Sequence, residues 1–78
     1  MRELEIGKIY RHFKSEDKLY RVEDVAIDCE NLREMVIYRA LYGDNKLWVR
    51  DKEDFLAEVG NRADNVTNQK YKFELYEE

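Results

Sequence analysis

The sequence predicts a mainly β domain: a small five-stranded antiparallel SH3-like barrel with one short helix before the last strand. Three observations carry this. Apolar and aromatic residues alternate with period two in several short segments at roughly ten-residue spacing. The period lengthens once, near residues 52 to 59, to the spacing of a helix. The chain has no proline, so its turns fall on Gly, Asn and Asp. At 78 residues it forms a single domain, residues 1–78, that buries roughly 60% of its unfolded surface, and an SH3-like barrel matches that size.

The elements follow in order. After Gly7, Ile9, Arg11 and Phe13 alternate with Tyr10, His12 and Lys14, a strand ending at the polar Ser15-Glu16-Asp17 turn. Leu19 to Ile27 continues the pattern imperfectly, with Leu19, Val25 and Ile27 on one parity and Tyr20, Val22 and Ala26 on the other. Cys29 to Arg33 is a polar connection. Met35 to Tyr42 is rich in β-branched and aromatic residues, and Gly43-Asp44-Asn45-Lys46 tolerates the positive φ of a hairpin into Leu47 to Arg50. Asp51 then caps a helix of about two turns, with Glu53 and Asp54 in the first turn and Phe55, Leu56 and Val59 on one face before Gly60. Residues 61 to 70 are loop-like, and Tyr71, Phe73 and Leu75 alternate with Lys72, Glu74 and Tyr76 as a last strand. Barrel closure assigns Ile37, Leu41, Leu47, Val49, Val25 and Ile27 to the interior. Arg39 shares that parity and requires a bend, or a carboxylate such as Glu23 or Glu34, to satisfy it.

Composition excludes several classes. The chain is 44% hydrophobic and 41% charged with a net charge of −4, too apolar for a disordered tail and too charged for a membrane span. Its first residues lack an apolar run of signal-peptide length, so a cytoplasmic location is expected. One cysteine and one histidine build neither an internal disulfide nor a tetrahedral zinc site, so no metal and no cofactor are expected. Cys29 lies between Asp28 and Glu30, a poor setting for an activated nucleophile. Residues 8 to 50 carry nine Lys/Arg against eight Asp/Glu, whereas residues 51 to 78 carry four against eight. The less acidic part is the aromatic part, and Lys8 to Lys14 contains no acid. Such a patch can attract a short anionic group, while the remaining charge disfavours long duplex DNA.

Gly7-x-Ile9-Tyr10-Arg11-His12-Phe13-Lys14, Leu19-Tyr20-x-Val22, Val36-x-Tyr38-x-Ala40-Leu41-Tyr42-Gly43, Leu47-Trp48-Val49-Arg50 and Phe55-Leu56, in that order, resemble the short bacterial family called domain of unknown function 1653. The resemblance covers about residues 7 to 59 and implies a compact SH3-like β domain with no assigned activity. This chain departs from the family's pattern at Ser15-Glu16-Asp17, where a glycine is usual, at Asp51, where a proline is usual, and at Asp28-Cys29-Glu30-Asn31, where a His-Ser-Glu-Thr-like turn is usual. The matching positions outside the evident core are Tyr10, His12, Lys14, Tyr20, Tyr38, Arg39, Tyr42, Trp48 and Arg50.

From these we expect a ligand-binding surface of Tyr10, His12, Lys14, Tyr38, Tyr42, Trp48 and Arg50, with no catalytic constellation. Each has a competing structural role: His12 as a hydrogen-bonded strand residue, Trp48 and Tyr42 as cross-strand packing, Arg50 as a partner of Asp51, Glu53 or Asp54, and the tyrosines as wall residues. The expected function is a non-catalytic binding module for a peptide or protein partner. The alternatives are binding of short single-stranded RNA or a small phosphorylated ligand and, after that, a small enzyme using His12 as general base.

Overall fold

The computed structural model describes residues 3–76. Its elements are β1 (Ile9–His12), β2 (Leu19–Ile27), β3 (Glu34–Ala40), β4 (Leu47–Asp51), α1 (Lys52–Phe55) and β5 (Phe73–Leu75). All strand pairings are antiparallel, and the strands lie in the order β4-β3-β2-β1-β5. The class, strand number and single helix before the last strand are those the periodicity predicts. The sheet itself is open: β4 and β5 are its two edges and do not pair with each other, so its ladder is not closed into a barrel. No helix among the described residues is long and apolar enough to cross a membrane.

The interior lies on the opposite parity from the one expected. Tyr10, Tyr20, Val22, Val36, Tyr38 and Ala40 are buried and form one core with Phe55 and Phe73. Ile27, Leu47 and Val49 are exposed, and Ile37, Leu41 and Val25 are only partly covered. Arg39 explains the inversion. On the face shared by Ile37 and Leu41 its guanidinium reaches Glu23 at 3.4 Å and donates to the Asn45 carbonyl at 2.9 Å, partners a closed apolar interior would deny it. The other face offers rings and Ala40, which fill space without stranding a charge.

The imperfect alternation in β2 is a bulge. Val22 pairs with Tyr38 and Asp24 with Ile37, leaving Glu23 as the extra residue. Beyond it the faces exchange, so Val25 stands opposite buried Val36 rather than on the side of Leu19. The hairpin between β3 and β4 forms where the turn residues lie, with Gly43 at φ 58° and Asn45 at φ 54°.

The helix is shorter than expected. Asp51 caps it as predicted, its carboxylate accepting the Glu53 N–H at 2.9 Å. The chain leaves the helix after Phe55 because a different set of hydrogen bonds captures residues 57–59. Glu58 bridges Tyr71, Lys72 N–H bonds to the Ala57 carbonyl at 3.0 Å, and Val59 N–H to the Lys70 carbonyl at 2.9 Å. Phe55 and Val59 are buried all the same. Phe55 stacks on Phe73 with centroids 4.1 Å apart and planes 7° from parallel, which locks α1 onto β5.

Residues 61–70 are held by Gln69, 6% exposed. Its amide donates to the carbonyls of Arg11 (3.0 Å) and Tyr71 (3.1 Å) and accepts from Arg11 Nε at 3.0 Å. The Asn65 side chain closes the loop by accepting the Gln69 N–H and donating to its carbonyl.

Candidate functional site

The β3–β4 register sets Tyr38 opposite Trp48 and Val36 opposite Arg50, so Trp48 and Arg50 extend the core face beyond the core itself. Tyr38 is buried. Its ring meets Tyr20 at 5.3 Å, Phe55 at 5.3 Å and Phe73 at 5.5 Å, all edge-on, and its hydroxyl accepts from Arg50 Nε at 3.3 Å. Arg50 pairs with Asp54 at 2.6 Å and lies 5.2 Å over the Phe73 ring. Asp54 also takes Lys72 at 2.5 Å, and the Lys72 and Arg50 bonds hold its carboxyl below the usual range despite partial burial.

Trp48 stands at the edge of this arrangement with half of its surface in solvent. Tyr42 is half-buried just beyond β3, its hydroxyl 2.5 Å from that of Tyr20 and its ring 5.5 Å from the Tyr20 ring. Burial first, and the bond to Tyr42 second, push Tyr20 far above an ordinary tyrosine. Lys18 Nζ lies 5.5 Å over the Tyr42 ring.

His12 borders the surface from β1. It is paired with Phe73 on β5, their rings 4.7 Å apart, and lies 6.4 Å from the Tyr20 ring. Its Nδ1 accepts the Lys14 N–H at 3.2 Å, which leaves the imidazole proton on Nε2. Burial lowers its pKa to about 4, and Arg50, Lys14, Lys18 and Arg62 push the same way. Near neutrality His12 is therefore an uncharged donor on which Arg50, Lys14, Lys18 and Arg62 act, the first two and Arg62 being paired with Asp54 or Asp64.

The structure thus brings Trp48, Tyr38, Tyr42, Arg50 and His12 onto one face, linked through Tyr20. Lys14 lies on the far side of His12, its Nζ 5.8 Å over Phe13 and 3.8 Å from Asp64. Tyr10 lies beneath the surface, 1% exposed, packed edge-on against Phe55 at 5.4 Å with its hydroxyl accepting the Glu5 N–H at 3.0 Å. Tyr20 was legible only as a matching aromatic position. Its linking role depends on the Tyr10-Tyr20-Ala40 row, which no local spacing reveals. Lys18 and Arg62 also act on His12, Arg62 from a loop with no sequence pattern pointing to it.

A concavity of about 770 Å³ lies beside α1, lined among others by Arg33, Asp51, Leu56, Ala57 and Tyr71. None of the candidate residues lines it. Most of its charged walls are already paired, Arg33 with Asp51 and Glu53 and Lys52 with Glu34, so a ligand meeting them would have to compete with ion pairs already made. The aromatic face carries no such obstruction at Trp48. Among the described residues no group of three or more His, Cys, Asp and Glu side chains is arranged to hold a metal ion.

A family model described as protein of unknown function (DUF1653) matches residues 8–76, nearly the whole chain and further toward its end than the motifs alone reach. No curated protein and no solved structure matches the chain.

Proposed function

Because the chain belongs to this family of unknown function, we propose from its geometry that it is a non-catalytic binding module, recognising a peptide or protein partner on the face of Trp48, Tyr42, Tyr38, Arg50 and His12. The observation that carries the reading is Trp48. It is the chain's one tryptophan, half exposed on the face that elsewhere builds the core, directly across from buried Tyr38. Tryptophan is among the residue types enriched at interface hot spots, and this one stands in water beside a floor of packed rings. Tyr38 and Arg50 are fixed by their mutual hydrogen bond and by Asp54, so little side-chain freedom is lost on binding. The SH3-like character of the fold belongs to this proposal too, as the shape in which such aromatic shelves receive extended chains.

One observation favours a second reading, a short RNA or phosphorylated ligand: four cations act on His12, whose Nε2–H is a neutral donor. Catalysis by His12 has less support, since the bond that fixes its imidazole is the Lys14 main-chain N–H rather than a nucleophile.

The test is a chemical-shift screen of the labelled protein against pooled extended peptides and short oligoribonucleotides. The proposal expects peptides to shift Trp48, Tyr42 and His12 together, and Trp48→Ala to weaken that binding by about 2 kcal/mol. Perturbation by oligoribonucleotides alone, with affinity falling steeply as salt rises, would transfer the surface to the second reading. Shifts confined to the groove beside α1 would remove it from both.

A further inference from the structure

Leu47, Trp48 and Val49 are consecutive and all at least half exposed, at 52%, 50% and 60%. They lie on β4, an edge strand with β3 on one side only. Both faces of β4 are therefore apolar and wet, and its outer main chain is uncovered. Natural edge strands are usually protected by charge, proline or a bulge. Here the middle of β4 has none of these.

The phase of the ladder shows which groups face outward. Ala40 N–H bonds to the Lys46 carbonyl at 2.9 Å, next to the Arg39–Leu47 pair. Along an antiparallel pair, residues turned to the neighbour alternate with residues turned away. Lys46, Trp48 and Arg50 thus face β3, and the N–H and C=O groups of Leu47 and Val49 and the N–H of Asp51 point off the edge, while the Asp51 carbonyl turns into α1 as part of its cap.

We infer that β4 is a strand-addition site whose occupant is β4 of a second copy, antiparallel about a twofold axis through Val49. In this register Val49 meets Val49 of the second copy as a hydrogen-bonded pair, and the Asp51 N–H meets the Leu47 carbonyl of the second copy, so of the outward groups from 47 to 51 only the Leu47 N–H is left to water. The faces match as well. Trp48 of each copy stands across from Arg50 of the other, laying the aliphatic stem of an arginine whose guanidinium stays on Tyr38 and Asp54 beside a half-exposed indole. On the opposite face, Ile37 pairs with Val49 within each copy, so the twofold produces one continuous apolar row of Ile37, Val49 and their two symmetry mates. The one like-charge pairing sets Lys46 against Lys52 of the second copy, and Lys52 is already tied to Glu34 at 3.0 Å. Each copy carries a net charge of −4, so the association strengthens as salt screens the repulsion.

This inference goes beyond the proposed recognition and is tested separately, by sedimentation equilibrium from micromolar to millimolar protein at low and moderate salt. The expected result is a monomer–dimer equilibrium shifted toward dimer by salt. Val49→Lys, an outer-face change outside the recognition surface, abolishes the dimer while leaving the circular dichroism and melting temperature of the monomer unchanged. In a mixture of labelled and unlabelled wild type, an isotope-filtered experiment gives a cross-peak between the Trp48 and Arg50 α-protons of different copies, which this register brings together. A monomer at every concentration, or a dimer that survives Val49→Lys, overturns the inference. A peptide that pairs with the β4 amides of monomeric protein also overturns it, and gives the edge to that peptide instead.

Discussion

The hydroxyls of Tyr20 and Tyr42 meet at 2.5 Å, tying a buried ring of β2 to a half-exposed one beyond the end of β3. Tyr42→Phe leaves the Tyr20 hydroxyl without that partner, and we expect a loss of about 1 kcal/mol in urea unfolding. In an alkaline absorbance titration Tyr20 ionises earlier than in the wild type. It stays above an ordinary tyrosine, because burial, the larger cause of its shift, is unchanged.

His12 makes the fold sensitive to mild acid. Its pKa is about 4 in the folded state and 6.5 in the reference state, so between these values the unfolded chain binds the extra proton. Stability is therefore unaffected above the higher value and falls as pH drops through the window. Between about pH 7.5 and pH 5 the loss is on the order of 1–2 kcal/mol. His12→Asn, which keeps an acceptor for the Lys14 N–H but does not titrate, should remove that part of the pH dependence of the melting temperature.

Asp54 joins Arg50 on β4 to Lys72 before β5. Asp54→Asn leaves two cations facing each other across α1. With the carboxylate 40% exposed, solvent screening keeps the expected loss to roughly 1 kcal/mol. Because its folded pKa is depressed, this stabilisation is present above the usual carboxylate range and disappears as pH falls through the folded value. The difference between wild type and variant in thermal melts should therefore shrink in acid and in high salt.

Gln69 is expected to be the costliest polar change in the loop. Gln69→Leu has similar bulk but strips the carbonyls of Arg11 and Tyr71 of their donor, and we expect a loss of about 1–3 kcal/mol in chemical unfolding. Gln69→Glu should do no better, since it places carboxylate oxygens against those same carbonyls.

The strands and the hairpin were legible because period two and turn chemistry are local. The buried face was not, because β3 reads as apolar on both parities. The residue that decides between them is Arg39, and it decides by what it cannot do, namely give up Glu23 and the Asn45 carbonyl. The broken alternation around Glu23 already carried the bulge as a phase slip. It could be located only once Val22 and Asp24 had partners. The second helical turn failed because its residues bond to Lys70, Tyr71 and Lys72, far along the chain. Tyr38, Tyr42, Trp48 and Arg50 share one face because β3 and β4 alternate in step across a short hairpin, and His12 joins them from β1, opposite Phe73. Tyr10 went to the core because the parity it shares with His12 turns inward, and Gln69 was invisible because its partners are main-chain carbonyls.

β1 lies between β2 and β5, so the earliest strand of the sheet waits for the latest to complete its pairing. Until Phe73 arrives, Phe55 lacks the ring it stacks on and His12 its cross-strand neighbour. On the ribosome, a nascent chain short of residue 73 can form the β2–β3–β4 meander but cannot seal the core beneath it. Completion is thus a late event governed by a contact of large sequence separation, the kind that closes slowly. A release of nascent-chain tension in force-sensitive translation arrest should appear only once β5 has emerged, and as a single step.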